Sequence, residues 1–156
     1  MLRSAAHADR AFLLDVYAST REPELAQLPW DEAAKRAFVE QQFTAQDTDY
    51  RRKWPNAAFD VIEVDGQPAG RLYVDRSEVE LHILDIALLP DFRGRGLGGR
   101  LLRELADEAE TAGVPLVIYV ERQNPARRLY ERLGFRERDD GPVYIRMERP
   151  PSGGDG

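Results

Sequence analysis

Hydrophobic and polar positions alternate along this 156-residue chain in a way that marks most of its elements. Residues 8–19 place Phe12, Leu13, Val16 and Tyr17 on one helical stripe, and Pro23 and Pro29 then predict a loop. A longer helix opens at Asp31 and runs to about Lys53, with Ala34, Ala37, Phe38 and Gln41 at helical spacing. It stops before Trp54-Pro55, because a residue preceding proline avoids the α region. Its many polar positions suit either a solvated face or the wall of a polar cleft. Ala58–Val64 alternates as a strand, Asp65-Gly66 is a hairpin turn, and 68–75 reads as the return strand. A third strand runs from Val79 to about Leu88, stopped by Pro90. Residues 97–112 carry Leu97, Leu101, Leu102, Leu105 and Ala109 on one helix face, with Gly113 as the terminating glycine. The unbroken run Leu116–Val120 predicts a strand buried on both faces. Asn124 and Pro125 form a helix start, ending at Leu133-Gly134, and 135–138 and 143–148 make a last strand pair. The order α-α-β-β-β-α-β-α-β-β, with room for a leading strand near Leu2, predicts an α/β fold: a mixed sheet flanked by about four helices.

Composition narrows the class. A single domain is expected at this length, burying about two-thirds of its unfolded surface. The chain has no cysteine, which excludes a disulfide framework, thiolate-held metals and a cysteine nucleophile, and fits a reducing cytoplasm. Its two histidines, His7 and His82, leave little for a multi-histidine site, so no metal is expected. The net charge of −6 argues against nucleic acid, since a binder that neutralises phosphates runs the other way. No apolar run approaches the ~20 residues of a membrane span. Residues 1–7 lack the apolar stretch of a secretion signal. These features predict a cytoplasmic domain over 1–149 and a low-complexity tail, 150–156, too polar to order itself. The 20 arginines against 2 lysines fit GC-rich codon usage or a demand for bidentate anion recognition.

The stretch Leu89-Pro90-Asp91-Phe92-Arg93-Gly94-Arg95-Gly96-Leu97-Gly98-Gly99 carries the most chemistry. A strand ends, glycines turn the chain, and a helix begins. The first N–H groups of that helix have no internal partner, and the helix dipole adds positive potential. Glycines let the backbone approach an anion closely, so the loop is a seat for phosphate, with Arg93 and Arg95 adding charge. Residues 94–99 also match the dinucleotide fingerprint G-x-G-x-x-G, and Glu121 stands 22 residues beyond Gly99. That reading is disfavoured: five residues separate strand from first glycine, a hairpin precedes the loop, and the chain is short for a second nucleotide-binding half.

Arg93-Gly94-Arg95-Gly96-Leu97-Gly98 also reads as R-x-x-G-x-G. About thirty residues downstream comes Asn124-Pro125-Ala126-Arg127-Arg128-Leu129-Tyr130-Glu131-Arg132-Leu133-Gly134-Phe135. Together the two segments resemble the GCN5-related N-acetyltransferase (GNAT) family. The element order agrees over about 1–149, least over residues 20–55. The resemblance implies a mostly antiparallel central sheet with one splayed parallel strand pair and acetyl-CoA as co-substrate. The acceptor would be a primary amine of a small molecule or peptide. In that family the loop amides, here Arg93 through Gly99, bind the pyrophosphate. Ile86, Ala87 and Leu88 would pair with the pantetheine arm as an added strand. Asn124 would reach the arm while also capping its helix, and Arg127 would meet an outer phosphate. Tyr130 matches the tyrosine near the thioester sulfur, where a phenol protonates the departing thiolate; as a core aromatic it would share helical spacing with Leu129 and Leu133.

A base must take the proton of the attacking amine. The strand Glu80-Leu81-His82-Ile83-Leu84-Asp85-Ile86 puts Glu80, His82, Leu84 and Ile86 on one face and Asp85 on the other. By the resemblance His82 stands where relatives carry a glutamate base. Its pKa suits proton removal, with Glu80 to orient it or act instead; ordered water alone is the third possibility. Glu22, Glu24, Asp31, Glu40, Asp47 and Asp49 would attract a cationic amine or are ordinary surface charge. Trp30, Phe38, Phe43, Tyr50 and Trp54 form an aromatic wall or simply core. A catalytically weak acyl-CoA-binding module of the same fold is the alternative function. The acceptor and the oligomeric state, including a homodimer, stay open.

Overall fold

The computed structural model describes residues 1–152. Seven strands form one sheet: β1 (Leu2–Ser4), β2 (Ala58–Val64), β3 (Gln67–Arg76), β4 (Leu81–Leu88), β5 (Leu116–Glu121), β6 (Arg136–Asp140) and β7 (Tyr144–Arg149). Their order is β1-β2-β3-β4-β5-β7-β6. Four α-helices accompany them: α1 (Arg10–Leu25), α2 (Glu32–Lys53), α3 (Leu97–Ala112) and α4 (Arg127–Arg132). β1–β2, β5–β7 and β6–β7 pair antiparallel, and β4–β5 pair parallel. The expected mixed sheet with four helices and one parallel pair is what forms. The chain divides into two compact units, Met1–Tyr73 with Ile86–Arg93, and Val74–Asp85 with the residues from Gly94 onward. No helix among the described residues is long and apolar enough to cross a membrane.

In the first unit, Leu13, Leu14 and Tyr17 of α1 pack with Leu25, Val39, Phe43 and Val61. α1 runs straight through Pro23, where the sequence predicted a loop. Proline there removes one backbone bond of the last turn, and burial of Leu25 outweighs that loss. α2 also differs from expectation. Ala34, Ala37, Phe38 and Gln41 face solvent, while Val39 and Phe43 are the buried pair. Phe43 is therefore core, whereas exposed Trp30 and Phe38 stack edge-on at 5.3 Å. The Asp65-Gly66 turn takes φ of 52° and 79°, as a two-residue hairpin requires. Arg71 is the one buried charged side chain among the described residues. It donates to Gln46 Oε1 (2.9 Å) and lies over the rings of Tyr17 and Tyr73.

In the second unit, α3 buries Leu101, Leu102, Leu105, Ala106 and Ala109 and packs on β5. It ends at Gly113, whose φ of 72° suits a glycine. The tail expected to fray from Pro150 is held at its start. The Ser152 N–H and hydroxyl both donate to the Glu110 carboxylate, at 2.7 and 2.9 Å. The rest of that expectation, 153–156, lies outside the described residues.

One glycine holds β4 in place. A β-carbon on Gly70 of β3 would sit 2.1 Å from the Ala87 carbonyl oxygen and 3.0 Å from the Leu88 α-carbon, both main-chain atoms. Gly70→Ala must push β3 and β4 apart. It is expected to lower stability by about 2–3 kcal/mol, read as a reduced urea midpoint.

Candidate active site

The glycine loop is built as the sequence suggested. β4 ends at Leu88, a 3-10 turn spans Pro90–Phe92, and Gly96 caps α3. Gly94 and Gly96 take φ of 75° and 78°, a region that strains any residue with a β-carbon. The Arg100 N–H donates to the Gly96 carbonyl (3.0 Å), so the N–H groups of Leu97, Gly98 and Gly99 precede the first intrahelical bond. Nothing lies within 4 Å of where a Gly98 side chain would stand. This open cradle at the positive end of a 16-residue helix fits a diphosphate. Arg95 and Arg100 beside it are exposed.

The other predicted cofactor contacts are spread over both units. In the first unit, Arg93 Nε donates to the Leu88 carbonyl (3.0 Å) and Nη2 to Ser19 Oγ (3.4 Å), bracing the end of β4. Ile86, Ala87 and Leu88 are half-buried on that strand end, and the Leu89 N–H donates to the Ala69 carbonyl (2.8 Å). In the second unit, Asn124 Oδ1 accepts from the Ala126 N–H (2.8 Å), capping the turn before α4. Among the described residues its side-chain NH2 has no acceptor. Arg127 is occupied by the Arg122 carbonyl and by Glu137, so its guanidinium is a strut. Exposed Arg128 next to it carries no such tie among the described residues.

β4 and β5 pair in parallel through Leu81↔Leu116, His82↔Val117 and Ile83↔Ile118. His82 is the middle residue of these three pairs.

Cross-strand register joins His82 to residues the sequence reading did not single out. Tyr119↔Arg146 and Val117↔Glu148 are opposed pairs, so His82, Tyr119, Arg146 and Glu148 share one sheet face. Arg146 donates from three nitrogens: Nη1 to the Tyr119 hydroxyl (2.9 Å), Nη2 to Glu80 Oε1 (3.0 Å) and Nε to Glu148 Oε2 (3.0 Å). Glu80 Oε2 lies 3.9 Å from His82 Nδ1, and the Tyr119 ring meets the imidazole at 5.6 Å. The run Leu116–Val120 is buried on both faces as expected except at Tyr119, which is 47% exposed and opens toward this cluster.

The two predicted proton carriers are tuned oppositely. The His82 side chain is 12% exposed, and burial holds its pKa below the usual value of 6.5. Arg146 pushes the same way, while Glu80 and Asp75 oppose it. The net effect favours the neutral imidazole. Tyr130 is buried against Phe135 (5.6 Å), and burial, then the charge of Asp85, pushes its phenol up to about 12. It stays protonated and can donate. Among the described residues no group of three or more His, Asp or Glu is placed to hold a metal ion.

The sequence profile of the acetyltransferase (GNAT) family matches residues 23–135, and the chain belongs to that family. It is 36% identical over 101 residues to an uncharacterised N-acetyltransferase of Methanocaldococcus jannaschii, covering 57% of this chain and 43% of that protein. It is 50% identical over 60 residues to the ribosomal protein bS18-alanine N-acetyltransferase of Salmonella typhimurium, covering 37% of this chain and 40% of the relative. The chain thus spans under half the length of these curated relatives. In fold it is similar to the PaiA N-acetyltransferase of Thermoplasma acidophilum, crystallised with coenzyme A. The TM-score is 0.71 at 18% identity, over 96% of this chain and 98% of that one.

Proton NMR of the two histidines gives a direct check on the electrostatics. The His82 ring is expected to titrate with a midpoint below 6.5, and a midpoint above it contradicts the neutral base.

Proposed function

We propose that this protein transfers the acetyl group of acetyl-CoA to a primary amine by direct attack within a ternary complex. The observation that carries the reading is the glycine cradle at the start of α3, where the N–H groups of Leu97, Gly98 and Gly99 precede the first intrahelical bond and open space lies beside Gly98. The N–H groups of Leu97, Gly98 and Gly99 take the diphosphate, and the edge of β4 toward Leu88 takes the pantetheine arm as an added strand. Asn124 supplies an amide donor to that arm.

Acetyl-CoA supplies an acyl thioester, and the chain's residues manage two protons. His82 removes the proton of the acceptor ammonium, so that the neutral nitrogen can form the new C–N bond. Backbone N–H groups at the edge of β4 hold the carbonyl oxygen as it becomes negative. When the C–S bond breaks, Tyr130 gives its phenolic proton to the leaving thiolate, and the second proton shed by the new amide nitrogen restores the phenol. Amide and free CoA are the products, and no acyl-enzyme is needed.

The acceptor proposed first is the α-amino group of a peptide beginning with alanine, because relatives such as the Salmonella enzyme are named for that activity. The acidic residues of α2 give little support to general capture of cations. Asp47 and Asp49 are paired with Arg51, Arg52 and Lys53, and Asp31 caps the helix.

Release of CoA thiol from acetyl-CoA, measured across alanine-first peptides and small amines, tests the reading. Tyr130→Phe is expected to lower kcat about a hundredfold with little change in the KM for acetyl-CoA. Gly98→Val should weaken CoA binding in calorimetry while leaving the unfolding midpoint nearly unchanged, since space is open there. CoA binding without turnover on any amine would favour a binding module instead, and absence of CoA binding would refute both.

A further inference from the structure

Among the groups around the open sheet face, Arg146 is bound in the most specific way, yet the proposed chemistry gives it no part. Its three nitrogens reach three different partners on three segments: Glu80 ahead of β4, Tyr119 on β5 and Glu148 on β7. With each nitrogen committed at about 3 Å, it is poorly suited to bind an acceptor carboxylate. Its fork instead sets where Glu80 points. One oxygen of Glu80 is taken by Nη2 at 3.0 Å, and the other is left 3.9 Å from His82 Nδ1, beyond hydrogen-bond distance.

We propose that Arg146 is a positioning residue for His82: it holds the Glu80 carboxylate away from the imidazole and pins the Tyr119 ring against it, so that the base stays neutral. This rests on His82 being the base. Glu80 stands two residues from His82 on the same face, so a freed carboxylate can close the gap and accept from Nδ1–H. That contact favours the imidazolium, so a smaller fraction of the ring is left unprotonated to act as base. The charges facing His82 are Glu80, Arg146 and Asp75, with Glu148 linked through Arg146. Removing Arg146 deletes a repelling cation and frees an attracting anion, and both changes move the imidazole in one direction. Lysine keeps the charge but has one nitrogen, so it cannot hold three partners in a plane.

The test is the His82 NMR titration in the intact protein, with His7→Gln to assign the two rings. Arg146→Met is expected to raise the His82 midpoint by about one pH unit, Arg146→Lys by less. Glu80→Gln should lower it, and in that background Arg146→Met should move it much less. An unchanged midpoint in folded Arg146→Met, or an equal rise with Glu80 already replaced, overturns the proposal. If Arg146→Met does not fold, the lysine variant and Glu80→Gln decide it: Arg146→Lys leaving the midpoint in place, or Glu80→Gln failing to lower it, overturns it. The acid limb of kcat/KM, measured with one acceptor, reports separately on the base. If it follows the NMR midpoint across the variants, positioning and base stand together. If the midpoint moves and the limb does not, Arg146 still sets the imidazole but His82 is not the base, and the proposal falls as a statement about catalysis.

Discussion

The candidate site rests on a parallel strand pair, β4 with β5, joined through Leu81↔Leu116, His82↔Val117 and Ile83↔Ile118. Both strands carry further ties. β5 is matched by β7 at all six residues, Leu116↔Arg149 through Glu121↔Tyr144. In the other unit, the end of β4 is fixed by the Leu89–Ala69 bond, by the Arg93 brace on the Leu88 carbonyl and by the close approach to Gly70.

Burial acts on His82 and Tyr130 in opposite senses. Removing water disfavours whichever form carries charge. For an imidazole that form is protonated, and for a phenol it is deprotonated. The same cause therefore favours the neutral ring of His82 and the protonated phenol of Tyr130, with Asp85 adding to the effect on the tyrosine. The polar neighbours of His82 then adjust its value within a narrow range.

The glycine loop was legible because its reason is local: consecutive residues set the φ values, the cap and the open space. The helix from Leu97 and its stop at Gly113 were legible for the same reason. The cluster around Arg146 was not, because its contacts join residues 27 and 66 positions apart, and only strand register brings them together. Alternation did hold the clue, since Tyr119 with Glu121 and Arg146 with Glu148 fall on one face. α2 was misread because its weakly apolar sequence offers two competing faces about one residue apart. Ala34, Ala37, Phe38 and Gln41 satisfy helical spacing as well as Val39 and Phe43 do, and only packing against α1 decides between them. Pro23 misled because a proline rule that is sound mid-helix is weaker in a final turn anchored by a buried leucine.

The arginine bias also acquires a structural meaning. Composition alone left codon usage and anion recognition as explanations, yet many of these side chains point inward to the protein's own acceptors. Arg3 holds both oxygens of Asp9 and one of Glu63, Arg122 caps the Gly141 carbonyl, and Arg149 joins the Leu133 carbonyl to Glu110. Arg3 and Arg149 each use several nitrogens of one planar group at once, which a lysine ammonium cannot reproduce at the same positions. Because partly exposed ion pairs add little stability, their consequence is geometric: they fix turns, strand ends and carboxylates in place. Arg146 belongs to this set, and what distinguishes it is that one of the carboxylates it fixes stands beside His82.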